Sequence, residues 1–161
     1  MGKHFKLTNE TKINAFGIKL YRIECTLDIK WAKVGDKGGW VENEGNINGD
    51  AWVSGDAVVY GNARVSGNAR VSGNARVSGN AEVSGNADYC CFQSFGSANR
   101  TTTAFKCKDG KIIVNCGCFS GNIEGFAKAV ERTHGDSKYG REYKAMIELI
   151  KVKFGIEDEQ H

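Results

Sequence analysis

The chain contains no proline, only three histidines among its 161 residues, and no Cys-x-x-Cys motif. With histidine limited to His4, His134 and His161, the six cysteines at 25, 90, 91, 107, 116 and 118 do not build the ligand spacing of a structural zinc site. No metal or other cofactor is therefore expected. The nearest approach to a ligand pair is Cys90-Cys91 or Cys116-Gly117-Cys118. In a reducing compartment such thiols behave as small buried hydrophobes. No segment approaches the roughly 20 apolar residues of a membrane span. The stretch Met1 to Lys12 is polar and lacks the hydrophobic run of a signal peptide, so the expected location is the cytosol. Twenty-two basic against nineteen acidic residues leave a net charge of +3, which argues neither for nor against a nucleic-acid partner.

What the chain has is a repeat. The excess of glycine, 21 residues, is explained by a Val-Ser-Gly-Asn-Ala-Arg unit, or close variants, recurring every six residues. The apolar position runs Val41, Ile47, Val53, Val59, Val65, Val71, Val77, Val83 and Tyr89. From Val53 onward an alanine precedes it by two, Ala51 to Ala87. In each Ala-X-Val-X unit the side chains alternate, so Ala and Val face one way and Arg and Ser the other: a short strand. Gly-Asn or Gly-Asp then supplies a corner, because these residues tolerate turning conformations.

This pattern resembles the hexapeptide repeat of left-handed parallel β-helices. The resemblance implies three hexads per triangular coil and stacking of residues eighteen apart, with the aliphatic ladder filling the prism. About three coils over 41–95 are expected, since nine periodic positions make three turns of three. Outward columns follow: Arg64 with Glu82, Trp52 with Arg70 and then Asp88, Val58 with Arg76. Each exposed pair contributes only about 0–1 kcal/mol, so the columns are read as solubility and register devices, and no nucleic-acid polymer is expected. The remaining outward column is Ser54, Ser66, Ser72, Ser78 and Ser84, broken by Tyr60. A face of small side chains permits close approach of another subunit, and members of the hexapeptide family commonly form trimers; a homo-oligomer, a trimer first, is expected.

The flanks complete an architecture that is mainly β, with an N-terminal β cap (1–40), the left-handed parallel β-helix (41–95), and a C-terminal β-hairpin plus two helices (96–161). Strands are expected over Gly17 to Thr26 and Ile29 to Val34. Gly35-Asp36-Lys37-Gly38-Gly39 reads as a linker, with Trp40 plugging the open prism. After the repeat, Thr101 to Cys107 and Lys111 to Phe119 read as strands joined by a two-residue Asp109-Gly110 turn. That turn would set Cys107 opposite Ile112, Phe105 opposite Val114 and Thr103 opposite Cys116. Asn122 caps a helix carrying Ile123, Phe126, Ala127 and Val130 and ending at Gly135. Ser137 caps a second with Tyr143, Met146, Ile147, Ile150 and Phe154. The tail from Glu157 to His161 is expected to fray.

Tyr21-Arg22-Ile23, Val34 through Glu42, the hexads, and later Gly117-Cys118-Phe119 and His134-Gly135-Asp136 together resemble a group of phage and prophage hexapeptide proteins. That resemblance supplies context without an activity. Acyltransferases of the hexapeptide fold commonly use a histidine base, and its carbonic anhydrases need three histidines on zinc. No histidine lies between Val41 and Tyr89, and no long loop leaves the coils, so no enzymatic activity is expected. The expectation is a non-catalytic binding protein, sequestering a small anionic ligand such as a nucleotide signal of host immunity at subunit junctions. Arg100 and Lys106 would clamp a phosphate, Ser97 and Thr102 would donate hydrogen bonds, and Phe119 or Tyr143 would stack a base. The alternative is a structural or protein-interaction role, as a virion component or an inhibitor docking on a host protein.

Overall fold

A computed structural model describes residues 3–98 and 100–156. Asn99 and the tail 157–161, expected to fray, lie outside the described residues. The chain divides into two compact units, Met1–Asn86 and Ala87–His161.

The first unit is organised by parallel pairing at an interval of eighteen residues. Its strands are β1 (Phe5–Ile13), β2 (Lys19–Cys25), β3 (Lys37–Val41) and the two-residue rungs β4 (Trp52–Val53), β5 (Val58–Val59), β6 (Arg64–Val65), β7 (Arg70–Val71), β8 (Arg76–Val77) and β9 (Glu82–Val83). Trp52 pairs with Arg70, Val58 with Arg76 and Arg64 with Glu82, as the repeat predicts. Asp88, the expected third member of the Trp52 column, belongs to the second unit. Every periodic aliphatic from Val41 to Val83 is fully buried. At the corners the backbone enters the left-handed region, as at Gly67 with φ +60°, which costs glycine least.

Bonds between coils include Trp52 N to Ala69 O at 3.0 Å, Val58 N to Ala75 O at 2.9 Å and Ser66 N to Val83 O at 2.8 Å. Successive residues of a parallel strand turn their backbone groups to opposite neighbours, so the first rungs, bonded to a later rung on one side, also turn carbonyls to the other side, and these need donors from elsewhere. The N-terminal segment supplies them. Strand β2 pairs antiparallel with β3, which is itself the first rung of the β3-β5-β8 face. Lys3 Nζ donates to the carbonyls of Glu44 and Ile47 at 3.0 and 2.8 Å. The buried His4 donates through Nε2 to Ala51 O at 2.6 Å, and Arg22 Nε to Gly38 O at 3.1 Å. The cap foreseen from the sequence thus works as a set of donors.

Three details of that cap differ from expectation. Ile29 to Val34 is not a strand; the preceding β1 is, and its polar residues concealed it because it is an edge strand with most side chains exposed. Gly38-Gly39 is not a linker but lies inside β3, where a Cβ on Gly39 would fall 2.5 Å from Ala57 O and 2.7 Å from Val53 Cγ1. Glycine marks close approach here rather than a turn. Trp40 does not plug the prism. Its neighbour Val41 points inward, so Trp40 lies on the outer face, packed with Leu20 and Tyr60, with Lys12 Nζ 4.4 Å from its ring centroid.

Asn46 replaces a rung. At Glu44–Asn46 the backbone makes a short 3-10 turn and Asn46 N–H turns inward to Asn43 O. The Asn46 amide then donates to Ala63 O at 2.8 Å and Gly61 O at 3.3 Å, while its oxygen accepts from Glu42 and Asn43 N–H groups. The side chain does what the backbone no longer can.

The second unit carries an antiparallel sheet of order β10-β11-β12-β13: β10 (Tyr89–Phe95), β11 (Arg100–Lys106), β12 (Ile112–Cys116) and β13 (Phe119–Asn122). Tyr89 and Phe95 keep the hexad spacing but are in the first strand of this sheet, paired with β11, not in a coil. Helices α1 (Ile123–His134) and α2 (Lys138–Phe154) follow, capped by Asn122 and Ser137 as expected, with Gly125 N–H to Asn122 Oδ1 at 2.7 Å. Gly135 and Gly155 end them.

The β11–β12 register departs from expectation by one residue. Cys107 N–H donates to Lys111 O at 2.8 Å and Gly110 N–H to Cys107 O at 2.9 Å, leaving three residues, Lys108 to Gly110, in the loop. Asp109 accepts from Lys111 N–H, and Gly110 adopts φ +85°, a type I turn closed by a left-handed glycine. Ala104 therefore faces Val114, Thr102 faces Cys116 and Phe105 faces Ile113. The shift exchanges the faces of β11. Ala104, Val114 and Cys116 meet the helices through Phe126, Val130, Tyr143, Met146, Ile147 and Ile150. Phe105, Thr103 and Asn115 on the opposite face are also buried.

Two outcomes are expected in urea denaturation. Asn46→Ala strands buried carbonyls and should cost roughly 1–3 kcal/mol, whereas Ser54→Ala, a half-buried repeat position, should stay within about 0.5 kcal/mol. Gly39→Ala should cost about 1–3 kcal/mol by overpacking; a neutral result would mean β3 is not held at this distance from the Ala57 rung.

Candidate functional site

The six residues expected to bind a ligand do not converge. Ser97 is exposed beside Gly96. Arg100 opens β11 and is exposed, lying beside Gly117, where any Cβ would run into its guanidinium. Thr102 is buried, and its hydroxyl donates to Cys116 Sγ at 3.2 Å. The Cys116 thiol in turn donates to the Tyr143 hydroxyl at 3.8 Å. Tyr143 is buried, T-shaped with Phe126 at 5.7 Å and stacked on His134 at 5.5 Å. Burial, then the neighbouring Cys116, raises its pKa to about 12 although Arg100 pulls the other way. Gly96 lies against the Tyr143 hydroxyl and donates its N–H to Glu142 at 2.8 Å. Phe119 is half-buried on Phe126 at 5.4 Å.

Arg100, Thr102 and Tyr143 thus belong to one neighbourhood, but as packing. Thr102 already has an acceptor, and Tyr143 is buried. Lys106 is six strand residues from Arg100, roughly 20 Å at about 3.4 Å per residue, and cannot share a phosphate with it.

Lys106 instead borders an open cleft of about 1210 Å³ within the second unit. Two lysines come from the hairpin, Lys106 at the end of β11 and Lys111 beyond the turn. Two more, Lys151 and Lys153, come from the last turn of α2. The apolar part of the wall is Ile112, Ile123 and Phe154, and Asn122 brings the capped N-terminus of α1 to it. Asp88 and Glu124 are its carboxylates, so lysines outnumber acids four to two. Lys151 is also paired with Glu148 at 3.2 Å. Such a surface holds an anion beside an apolar body: ammonium groups for charge, aliphatic and aromatic carbon for contact.

Nucleophilic chemistry finds little support here. Cys90, packed against the helix–sheet core from β10, is pushed up to about 11 by burial, against the pull of Lys153. Burial likewise raises Cys25, Cys91 and Cys107. Among the described residues no group of three or more His, Cys, Asp or Glu is placed to hold a metal. No helix among them is long and apolar enough to cross a membrane.

Sequence reasoning found Lys106 but missed Lys111, Lys151 and Lys153. The available signal was the density of lysines beside the Asp109-Gly110 turn and in the last turn of α2. Only the packing of that helix end near the hairpin makes the two groups one surface.

Comparison with known proteins bears on the first unit. Residues 51–67, 59–73, 63–79 and 69–85 are similar to the YdcK β-solenoid repeat, and all of them lie within the parallel ladder. Among curated proteins none matches the chain. The repeated parallel strands of the first unit are those of a β-solenoid.

Proposed function

We propose that this is a non-catalytic binding protein of phage type that holds a small anionic ligand, a nucleotide, in the lysine-rimmed cleft of its second unit. The observation that carries the reading is the cleft itself, in which Lys106, Lys111, Lys151 and Lys153 surround Ile112, Ile123 and Phe154. This relocates the ligand from the Arg100–Tyr143 neighbourhood, whose polar groups are engaged internally, to the other end of β11. The ligand leaves as it arrived: the surface offers charge and contact without an activated nucleophile. In the cytosol of an infected cell such a protein would act as a sponge for a nucleotide signal of host immunity.

The solenoid is the scaffold in this reading. A left-handed helix of about three coils accords with the eighteen-residue register and with hexads of this length. The serine column, half-buried at Ser54, Ser66 and Ser72, leaves a low surface for association into a trimer. A second reading, docking on a host protein, draws on the solvent-facing Leu149 and Val152 of α2, 54% and 77% exposed.

Native mass spectrometry of the purified protein should show three copies and an associated nucleotide of unchanged mass. In calorimetry with ATP as probe, Lys106→Ala/Lys111→Ala should weaken binding about a hundredfold, two charge-assisted contacts of about 1.4 kcal/mol each. The subunit count should not change. Binding lost in Arg100→Ala but kept in the lysine variant would return the ligand to the Tyr143 neighbourhood. No nucleotide retained and no ATP binding would favour the protein-docking reading.

A further inference from the structure

The charged groups around the cleft of the second unit differ in what they have left to offer a ligand. Lys151 is paired with Glu148 at 3.2 Å, and Lys153 and Asp88 are likewise engaged within the protein. The ammonium groups of Lys106 and Lys111 and the carboxylate of Glu124 are exposed, and none of them has a hydrogen bond or ion pair among the described residues. The sheet register sets the distance between these two kinds of charge. Lys106 stands opposite Ile112, and Ile113 opposite Asn122, so the lysine rim and the start of α1 are two strand spacings apart, about 10 Å at about 4.8 Å each. Glu124 lies in the first turn of α1, two residues beyond Asn122. The carbon of the wall is Ile112, Ile123 and the half-buried ring of Phe154, which packs on the helix–sheet core and still borders the cleft.

From this polarity we infer that the cleft selects a guanine nucleotide, with its phosphates on Lys106 and Lys111, its base on Phe154, and the N1–H and N2–H groups of the base on the Glu124 carboxylate. The inference rests on the proposed reading of the cleft as an anion receptor and says which anion it takes. Inorganic phosphate reaches one end of a surface of this length, whereas a nucleotide spans it. The Glu124 carboxylate repels phosphate from the α1 end and so fixes which way round the ligand lies. A carboxylate only accepts hydrogen bonds, and it has two oxygens to do so. Guanine answers it with two adjacent donors. Adenine has one amino donor beside a ring nitrogen that is itself an acceptor, and that nitrogen would meet the second oxygen lone pair to lone pair. Stacking on an aromatic ring tolerates any base, so Phe154 contributes affinity and Glu124 the choice.

The test is calorimetry on the full chain with GTP, ATP and inorganic triphosphate as probes. GTP should bind the wild type about tenfold more tightly than ATP, the effect of one further charge-assisted hydrogen bond. Glu124→Gln, a change at an exposed position, should bring GTP to the affinity of ATP. Phe154→Leu should weaken GTP and ATP alike, about tenfold, and leave inorganic triphosphate unchanged, because only the nucleotides have a base to stack. Equal binding of GTP and ATP by the wild type would overturn the inference while leaving the receptor reading in place, and so would a GTP preference that survives Glu124→Gln. Loss of inorganic triphosphate in Phe154→Leu would also overturn it, since the ring would then support the lysine rim rather than a base. If none of the three probes binds the wild type, the receptor reading itself fails and the inference falls with it.

Discussion

The open N-terminal side of the parallel ladder is the constraint on which the first unit depends. Each rung bonds to a neighbour on both of its edges, so the first rungs, with a later rung on one edge, present on the other a row of backbone groups that no earlier rung can meet. An unsatisfied row of that kind is both costly and an invitation to pair with another chain. The N-terminal residues answer it atom by atom: β2 along β3, Lys3 on Glu44 and Ile47, His4 on Ala51, Arg22 on Gly38. The bond to Ala51 O requires the proton on Nε2 of His4, so this histidine is engaged in the fold and has no base to offer there. Its ring packs edge-on to Phe5 at 5.2 Å, which holds the donor in line. Asn46 solves the same accounting problem inside the ladder, lending a side-chain amide where the 3-10 turn withdraws a backbone N–H.

Legibility in the sequence followed the length scale of the signal. The rung spacing was readable because a period of six repeats through Val41 to Val83, and stacking at eighteen followed from the resemblance to hexapeptide β-helices. Helix caps were readable because Asn122 and Ser137 act on N–H groups three residues away. The hairpin was readable as a hairpin, yet its register was not: Asp-Gly serves both a two-residue turn and the end of a three-residue loop. One residue decided whether Phe105 or Ala104 met the helices. Gly38-Gly39 posed the same ambiguity, since glycine signals either a turn or the close approach of two backbones, and only the neighbouring rung at Ala57 distinguishes them.

The binding surface was hardest to read, for a reason separate from local propensity. The proposed clamp was drawn from residues near in sequence, Ser97 to Lys106, on the assumption that they stay near in space. A strand defeats that assumption, placing Arg100 and Lys106 at its opposite ends. The residues that do come together are separated by chain: Lys106 and Lys111 across a turn, then Lys151 and Lys153 after two helices. The α1–α2 hairpin brings them into one surface by returning the end of α2 to the start of α1, where Asn122, Ile123 and Phe154 border one cleft.

Burial separates what the two ends of β11 can do. At the Arg100 end, Thr102, Cys116 and Tyr143 form a donor–acceptor series inside the helix–sheet core, and their polar atoms are bonded to one another. Opening such a series to a ligand would exchange made hydrogen bonds for new ones and gain little. The Tyr143 hydroxyl, raised to about 12 first by burial and then by the neighbouring Cys116, keeps its proton across the physiological range. At the Lys106 end the side chain is exposed and its charge is shared with three other lysines over apolar carbon. An anion arriving there adds interactions without breaking the core. On the proposed reading the same strand serves cohesion at one end and recognition at the other, the division being set by which polar groups the fold has already satisfied.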